Sequence, residues 1–126
     1  MPTRKAINKG ARARGSRAEA MLHKSLTESG YEVRRTHLSA FPDIIAWNKS
    51  KLLMVEVKSR TAANPAEERA AIRNAVRLFS NSAKELNFVH NGSEVLCYLQ
   101  INDTWLAYKW NGVGTVPVKS VIKEER

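Results

Sequence analysis

The chain of 126 residues carries one cysteine, Cys97, three scattered histidines, and only 12 acidic residues against 21 basic ones. Each shortage removes a class of protein. A single cysteine within an apolar run cannot build a disulfide framework and fits a reducing compartment. His23, His37 and His90 have neither a glutamate at zinc-protease spacing nor paired cysteines near them, which argues against zinc. No glycine-rich phosphate loop or dinucleotide fingerprint occurs, so no nucleotide cofactor and no nucleotide-driven motor are expected. No apolar stretch reaches signal-peptide or membrane-spanning length, and nothing amphipathic and aromatic accompanies the basic N-terminus. The expectation is a soluble, unexported, cytoplasmic protein without a membrane partner.

What the chain has in excess is positive charge, a formal net of +9. It is unevenly placed: Arg4, Lys5, Lys9, Arg12, Arg14 and Arg17 all precede the first acid, Glu19. Residues 1–15 read as a basic flexible arm that orders on a phosphate backbone, and residues 16–126 as a single domain long enough to bury its own core. A polyanion, nucleic acid above all, is the implied partner.

The periodicities predict the order α-β-β-β-α-β-β, an α/β or α+β domain with a central mixed sheet. "SRAEAMLHKSLTESG" reads as a helix with Ser16 as N-cap, Ala18, Met21, Leu22 and Leu26 on one face, and Gly30 past its end. "YEVRRT", "DIIAW" and "LLMVEVK" read as strands, the last two joined by the turn "NKSK". Asn64, Pro65 and Glu67 open a second helix with Ala71, Ala75, Leu78 and Phe79 on its apolar face. "EVLCYLQI" and "TWLAYKW" follow as strands meeting at Asn102 and Asp103; the tail after Gly112 shows no assignable pattern. The late aromatics Phe88, Tyr98, Trp105, Tyr108 and Trp110 could stack on bases, but their alternate placement in strands more often means a core or a dimer interface.

Two of these strands contain charges. If Lys49 and Ser50 are the central residues of the hairpin, counting back along both strands sets Asp43 opposite Glu56, with side-chain roots about 5 Å apart. Lys58, two residues on, shares their face. Like charges so placed are destabilising unless something positive lies between them. A hard divalent cation held by the two carboxylates is one solution, Mg²⁺ or Mn²⁺ in its stead; neutralisation by Lys58 alone is the other.

Pro42-Asp43 followed by Glu56-Val57-Lys58 across a hairpin resembles the PD-(D/E)XK motif of restriction-endonuclease-like nucleases. Together with "RAEAMLHKSLTESGYEVRR", Ser39, "PDIIA", "LLMVEVKSR" and the following helix, residues 10 to 80 resemble the archaeal-type Holliday junction resolvases. The resemblance implies a restriction-endonuclease-like core and a homodimeric endonuclease that resolves four-way DNA junctions in recombination and repair. It implies Asp43 and Glu56 as metal-binding carboxylates, with the Val57 carbonyl as a further ligand, and Lys58 as the residue that orients or activates the attacking water. Glu19 would be an extra active-site acid and possible ligand, although Ser16-x-x-Glu19 also reads as a capping box. Arg35 would be a functional arginine at a strand end, and Ser39 a loop serine near the scissile phosphate. The family often has a basic residue directly after the helix glutamate, where this chain has Ala20, so that phosphate contact must come from Arg14, Arg17 or elsewhere, and Arg12 joins the candidates for contact with DNA. Arg34, Arg35, Lys51, Arg60, Arg73 and Arg77 are further candidates for contact with DNA, reading shape rather than base edges. Two other readings fit the same residues: a nuclease of the same fold without junction selectivity, and a DNA-binding module without catalysis.

Overall fold

The computed structural model describes residues 4–36, 42–86 and 93–122, apart from the side chains of 4–14 and 86. Its elements run α1 (Arg4–Glu28), β1 (Glu32–Arg35), β2 (Ile44–Trp47), β3 (Leu52–Arg60), α2 (Pro65–Leu86), β4 (Ser93–Ile101), β5 (Thr104–Trp110) and β6 (Thr115–Val118). The strands form one sheet in the order β1-β2-β3-β4-β5-β6, antiparallel at every pairing except β3 with β4. That parallel pair needs a crossover, and α2 supplies it. The predicted order holds, with β6 added at the edge. Pro117 within β6 disguises it as a strand in sequence, and an edge is where a residue without an N–H is tolerated.

Local chemistry sets most boundaries. Gly30, at φ 95°, closes α1: its amide donates to Thr27 and the Tyr31 amide reaches back to Leu26, each at 3.1 Å, satisfying two end carbonyls. Asn64 caps α2 as expected, its Oδ1 accepting from the Glu67 amide at 2.9 Å while Glu67 accepts from the Ala63 amide at 2.7 Å. Asn48 organises the β2–β3 hairpin, accepting from the Ser50 and Lys51 amides at 2.9 and 2.8 Å.

The start of α1 departs from expectation. The helix begins at Arg4, so residues 4–15 are helical backbone and Ser16 sits inside the helix. Arg, Lys and Ala are strong helix formers, and the two glycines of this stretch cost only about 1 kcal/mol each.

The helices cover opposite faces of the sheet. Ala18, Leu22 and Leu26 of α1 pack on Val33, Ile44, Ala46, Leu53, Val55, Leu96 and Tyr98. Phe79 and Ala83 of α2 pack on Val95, Cys97 and Trp110, and Ala75 on Leu99 and Ile101. With both faces covered, β4 reads as a nearly continuous apolar run. Tyr98, Trp105 and Trp110 are thus core residues, and Tyr108 packs beside them; Phe88 lies outside the described residues.

Candidate active site

Between Trp47–Leu52 and Ile44–Val55, β2 and β3 keep the register counted from the turn. The ladder then shifts. The Asp43 amide donates to the Val55 carbonyl at 2.9 Å instead of standing opposite Glu56, and its Oδ2 accepts from the Val57 amide at 2.8 Å. The expected face-to-face pair of carboxylates is therefore corrected. The slip of one residue replaces a like-charge opposition with a backbone donor for Asp43. Pro42 has no N–H to continue the ladder, and Thr36 ties this corner down, its Oγ1 donating to the Pro42 carbonyl at 2.6 Å and its amide to the Asp43 carbonyl at 3.0 Å. Thr36 carried no sequence signal for this role, because its partner Pro42 is six residues away in the chain.

Burial, more than anything else, pushes the Asp43 carboxyl above its ordinary value; the Val57 amide opposes that, Glu19 and Glu56 add to it, and Lys58 opposes it. The aspartate is therefore a partly buried carboxyl with two further acids near it, opposed by Lys58 and the Val57 amide. Glu56 and Lys58 point to the α2 side of the sheet, where Glu56 is in register with Cys97. Burial, with help from Glu56, pushes the Cys97 thiol up to about 12, which leaves it inert at neutral pH. Lys58 Nζ stands 3.2 Å from Glu56 Oε1, the two side chains only 10% and 16% exposed. Glu56 Oε2 is buried with no hydrogen-bond partner.

Glu19 arrives from α1. Because the helix runs through Ser16, Glu19 caps nothing: its Oε2 lies 3.3 Å from Arg35 Nη2, which also donates to Ser16 Oγ at 3.3 Å. The capping-box reading gives way to an ion pair with a residue that arrives one strand later. Asp43, where β2 parts from β3, is thus flanked by the Glu19–Arg35 pair from the α1 side and the Glu56–Lys58 pair from the α2 side, and it feels the charges of Glu19, Glu56 and Lys58.

The remaining candidates are scattered. Arg34 turns its guanidinium to the Val33 carbonyl, 3.1 Å away. Lys51 stands at the hairpin end, 3.7 Å from Glu94, about 20 Å of strand from Val57. Arg73 and Arg77 are exposed on α2, and Arg77 donates to Asn74 at 2.7 Å. Arg17 and Arg60 come together around one cleft, with Gln100, which the sequence did not single out. Ser39 and His37 lie outside the described residues, as do the side chains of Arg12 and Arg14.

Among the described residues, no three acidic, histidine or cysteine side chains are grouped to hold a cation as they stand, and Asp43, Glu19 and Glu56 each have an internal partner. The donor chemistry nevertheless fits a hard divalent ion. All the candidate ligands are oxygens, Glu56 Oε2 is buried without a partner, and the charge on Asp43 is unfavourable in its absence. No helix among the described residues is long and apolar enough to cross a membrane.

No curated protein matches the chain. Among solved structures, Hjc of Archaeoglobus fulgidus, a Holliday junction resolvase from an archaeal hyperthermophile, is similar with 21% identity over 82% of each chain and a TM-score of 0.47. The family model for the archaeal Holliday junction resolvase (Hjc) matches residues 10–87, a span that contains every residue gathered around Asp43. On that match the chain belongs to the archaeal Holliday junction resolvase family, nucleases that resolve four-way DNA junctions.

Proposed function

We propose that this chain cuts four-way DNA junctions by divalent-metal-dependent hydrolysis, with Asp43 and Glu56 as the carboxylates that hold the ion and Lys58 beside the attacked phosphate. The observation that carries the reading is the gathering of Glu19 and Glu56 about a half-buried Asp43, with Glu56 Oε2 buried and without a partner. Carboxylates held together at such a cost are the mark of a site that awaits positive charge. When bound, Mg²⁺, or Mn²⁺ in its place, would polarise the phosphate and make water a better nucleophile.

The chain's own residues do the rest. Asp43 is held in place through the Val57 amide, which binds one of its oxygens and leaves the other to a ligand. Lys58 now neutralises Glu56. With an ion held beside Glu56, the Lys58 ammonium would stabilise charge developing on the phosphate or orient the attacking water. Arg35 holds Glu19 in position and has a buried Nε with no partner, which makes it a donor for a phosphate oxygen as well. Ser39 is proposed near the scissile phosphate. The basic N-terminal segment, with Arg12 and Arg14, would follow the phosphate backbone of an arm. Two symmetric cuts need two sites, which a homodimer provides.

The test is cleavage of a synthetic four-way junction beside a linear duplex of the same sequence, with Mg²⁺ or EDTA, by the wild type and Asp43→Asn. Paired nicks confined to the junction, lost with EDTA and with the substitution, are the expected result. Equal cutting of both substrates would instead make the chain a nuclease without junction selectivity. Cutting by Asp43→Asn at the wild-type rate would overturn the assignment of the site.

A further inference from the structure

Two peptide units flank the Cα of Asp43, and Thr36 grips both. The first joins Pro42 to Asp43. Its carbonyl accepts from the Thr36 hydroxyl at 2.6 Å, and its N–H, that of Asp43, donates to the Val55 carbonyl at 2.9 Å. The second begins with the Asp43 carbonyl, which accepts from the Thr36 amide at 3.0 Å. Each peptide unit is planar, so holding the planes on either side of a Cα fixes the direction in which its side chain leaves the backbone. The Asp43 carboxylate leaves in the direction that brings Oδ2 to within 2.8 Å of the Val57 amide.

The place where this happens lacks the usual means of holding a backbone. Asp43 lies before the first residue of β2, Pro42 has no N–H, and the pairing with β3 has slipped by one residue. The β1–β2 register, continued one residue beyond Arg35–Ile44, sets Thr36 opposite Asp43 and accounts for the amide bond. It supplies nothing for the Pro42 carbonyl, and there a side-chain hydroxyl serves as the donor. The residue before Thr36 is Arg35, which holds Glu19 at 3.3 Å. Two consecutive residues at the end of β1 thus hold two of the acids gathered at the site.

We infer that Thr36 is a positioning residue of the nuclease site: through the Pro42–Asp43 peptide, its hydroxyl aims the Asp43 carboxylate and so sets the affinity of the site for a divalent ion. The inference rests on the reading that Asp43 and Glu56 hold such an ion. Thr36 acts through Asp43, not on the ion or on the phosphate. Its effect therefore falls on how much metal the site needs, while the capacity to hold DNA and the rate once the metal is bound stay as they are. Outer partners of a metal ligand contribute about 10–100-fold in affinity, and the lower end applies here because the Val57 bond and the Thr36 amide remain when the hydroxyl is removed.

The experiment compares two matched pairs of full-length proteins, wild type with Thr36→Val and Thr36→Ser with Thr36→Ala, each pair differing by the hydroxyl. Mn²⁺ binding without DNA is measured by titration calorimetry, junction binding in EDTA by fluorescence anisotropy, and single-turnover junction cleavage over a series of Mg²⁺ concentrations; thermal melting confirms that each protein folds. Within each pair the protein without the hydroxyl is expected to bind Mn²⁺ about tenfold more weakly and to need about tenfold more Mg²⁺ for half-maximal cleavage. Its rate at saturating Mg²⁺ and its junction binding in EDTA should equal those of its partner. The Ser and Ala pair decides the point even should Thr36→Val not fold. Equal Mn²⁺ affinity within the pairs would overturn the inference. So would a loss that follows the methyl group rather than the hydroxyl, or one that appears equally in EDTA junction binding, since either marks a role in packing or in DNA contact. A wild type that binds no Mn²⁺ would overturn the metal reading and this inference together, and that result is visible before any variant is measured.

Discussion

Asp43 Oδ2 accepts a 2.8 Å hydrogen bond from the Val57 amide, and this bond keeps a half-buried carboxylate close to Glu19 and Glu56. Burial dominates, and the folded-state pKa of Asp43 lies above its ordinary 3.8. The folded chain therefore binds more protons than the unfolded one just above pH 3.8, and this group destabilises the fold increasingly as pH rises through that window. Asn keeps the acceptor for Val57 without the charge. Asp43→Asn should thus melt higher than wild type at neutral pH, by a margin that shrinks towards zero as pH falls below 3.8. Its junction cleavage should fall by more than about a hundredfold. Melting curves from pH 3 to 7, about one unit apart, decide the first point; a margin that does not change with pH would show that Asp43 carries no unfavourable charge.

Adding Mg²⁺ should narrow that margin. A ligand that binds only the folded state stabilises it by about 2.7 kcal/mol at a hundred times its dissociation constant, and Asp43→Asn removes one of the two proposed ligands. Wild type should therefore gain melting temperature with Mg²⁺ or Mn²⁺ and lose the gain with EDTA, whereas Asp43→Asn and Glu56→Gln should gain much less. An equal gain in all three proteins would place the ion elsewhere.

Lys58 and Glu56 form a pair of the kind that is costly to break from one side. With both side chains largely buried, Lys58→Met strands the Glu56 charge and should cost about 1–3 kcal/mol in urea unfolding. Glu56→Gln/Lys58→Met should be less destabilised than Lys58→Met alone, since no unpaired charge remains. If the double variant is the worse of the two, the pair contributes through packing rather than charge.

The parts of this fold that were legible in the sequence are those in which cause and effect are close in the chain. Asn48, Gly30 and the Asn64-Pro65-Glu67 start each act on amides or carbonyls within a few residues, and they set the hairpin register and two helix ends. What stayed hidden depends on distant partners. Ser16-x-x-Glu19 has the pattern of a cap, but its actual partner, Arg35, is brought by β1. The shift at Asp43 follows from electrostatics between two strands, which an ideal ladder ignores. Arg60 and Gln100 sit far apart in sequence, and only the parallel pairing of β3 with β4 brings them to one cleft.

That difference over Ser16 is itself measurable. As an N-cap, Ser16→Ala would cost about 1 kcal/mol. As a helix-interior residue, it gains propensity from Ala and loses one 3.3 Å contact with Arg35, so the net change should stay within about 0.5 kcal/mol. Urea unfolding separates the two values, and a loss near the larger one would return the helix start to Ser16.

Asn102 offers a test of how the end of β3 is held. It turns the chain between β4 and β5 at φ 54°, a conformation that costs most side chains about 1–2 kcal/mol, while its amide group donates to the Ala62 carbonyl at 3.0 Å and accepts from the Ala62 amide at 3.1 Å. Asn102→Gly removes the two hydrogen bonds but leaves the backbone at ease; Asn102→Ala removes the bonds and adds the strain. Stability should therefore fall in the order Asn, Gly, Ala, each step about 1 kcal/mol. Should Gly equal Asn, the hydrogen bonds to Ala62 would count for nothing; should Gly equal Ala, the turn would carry no strain.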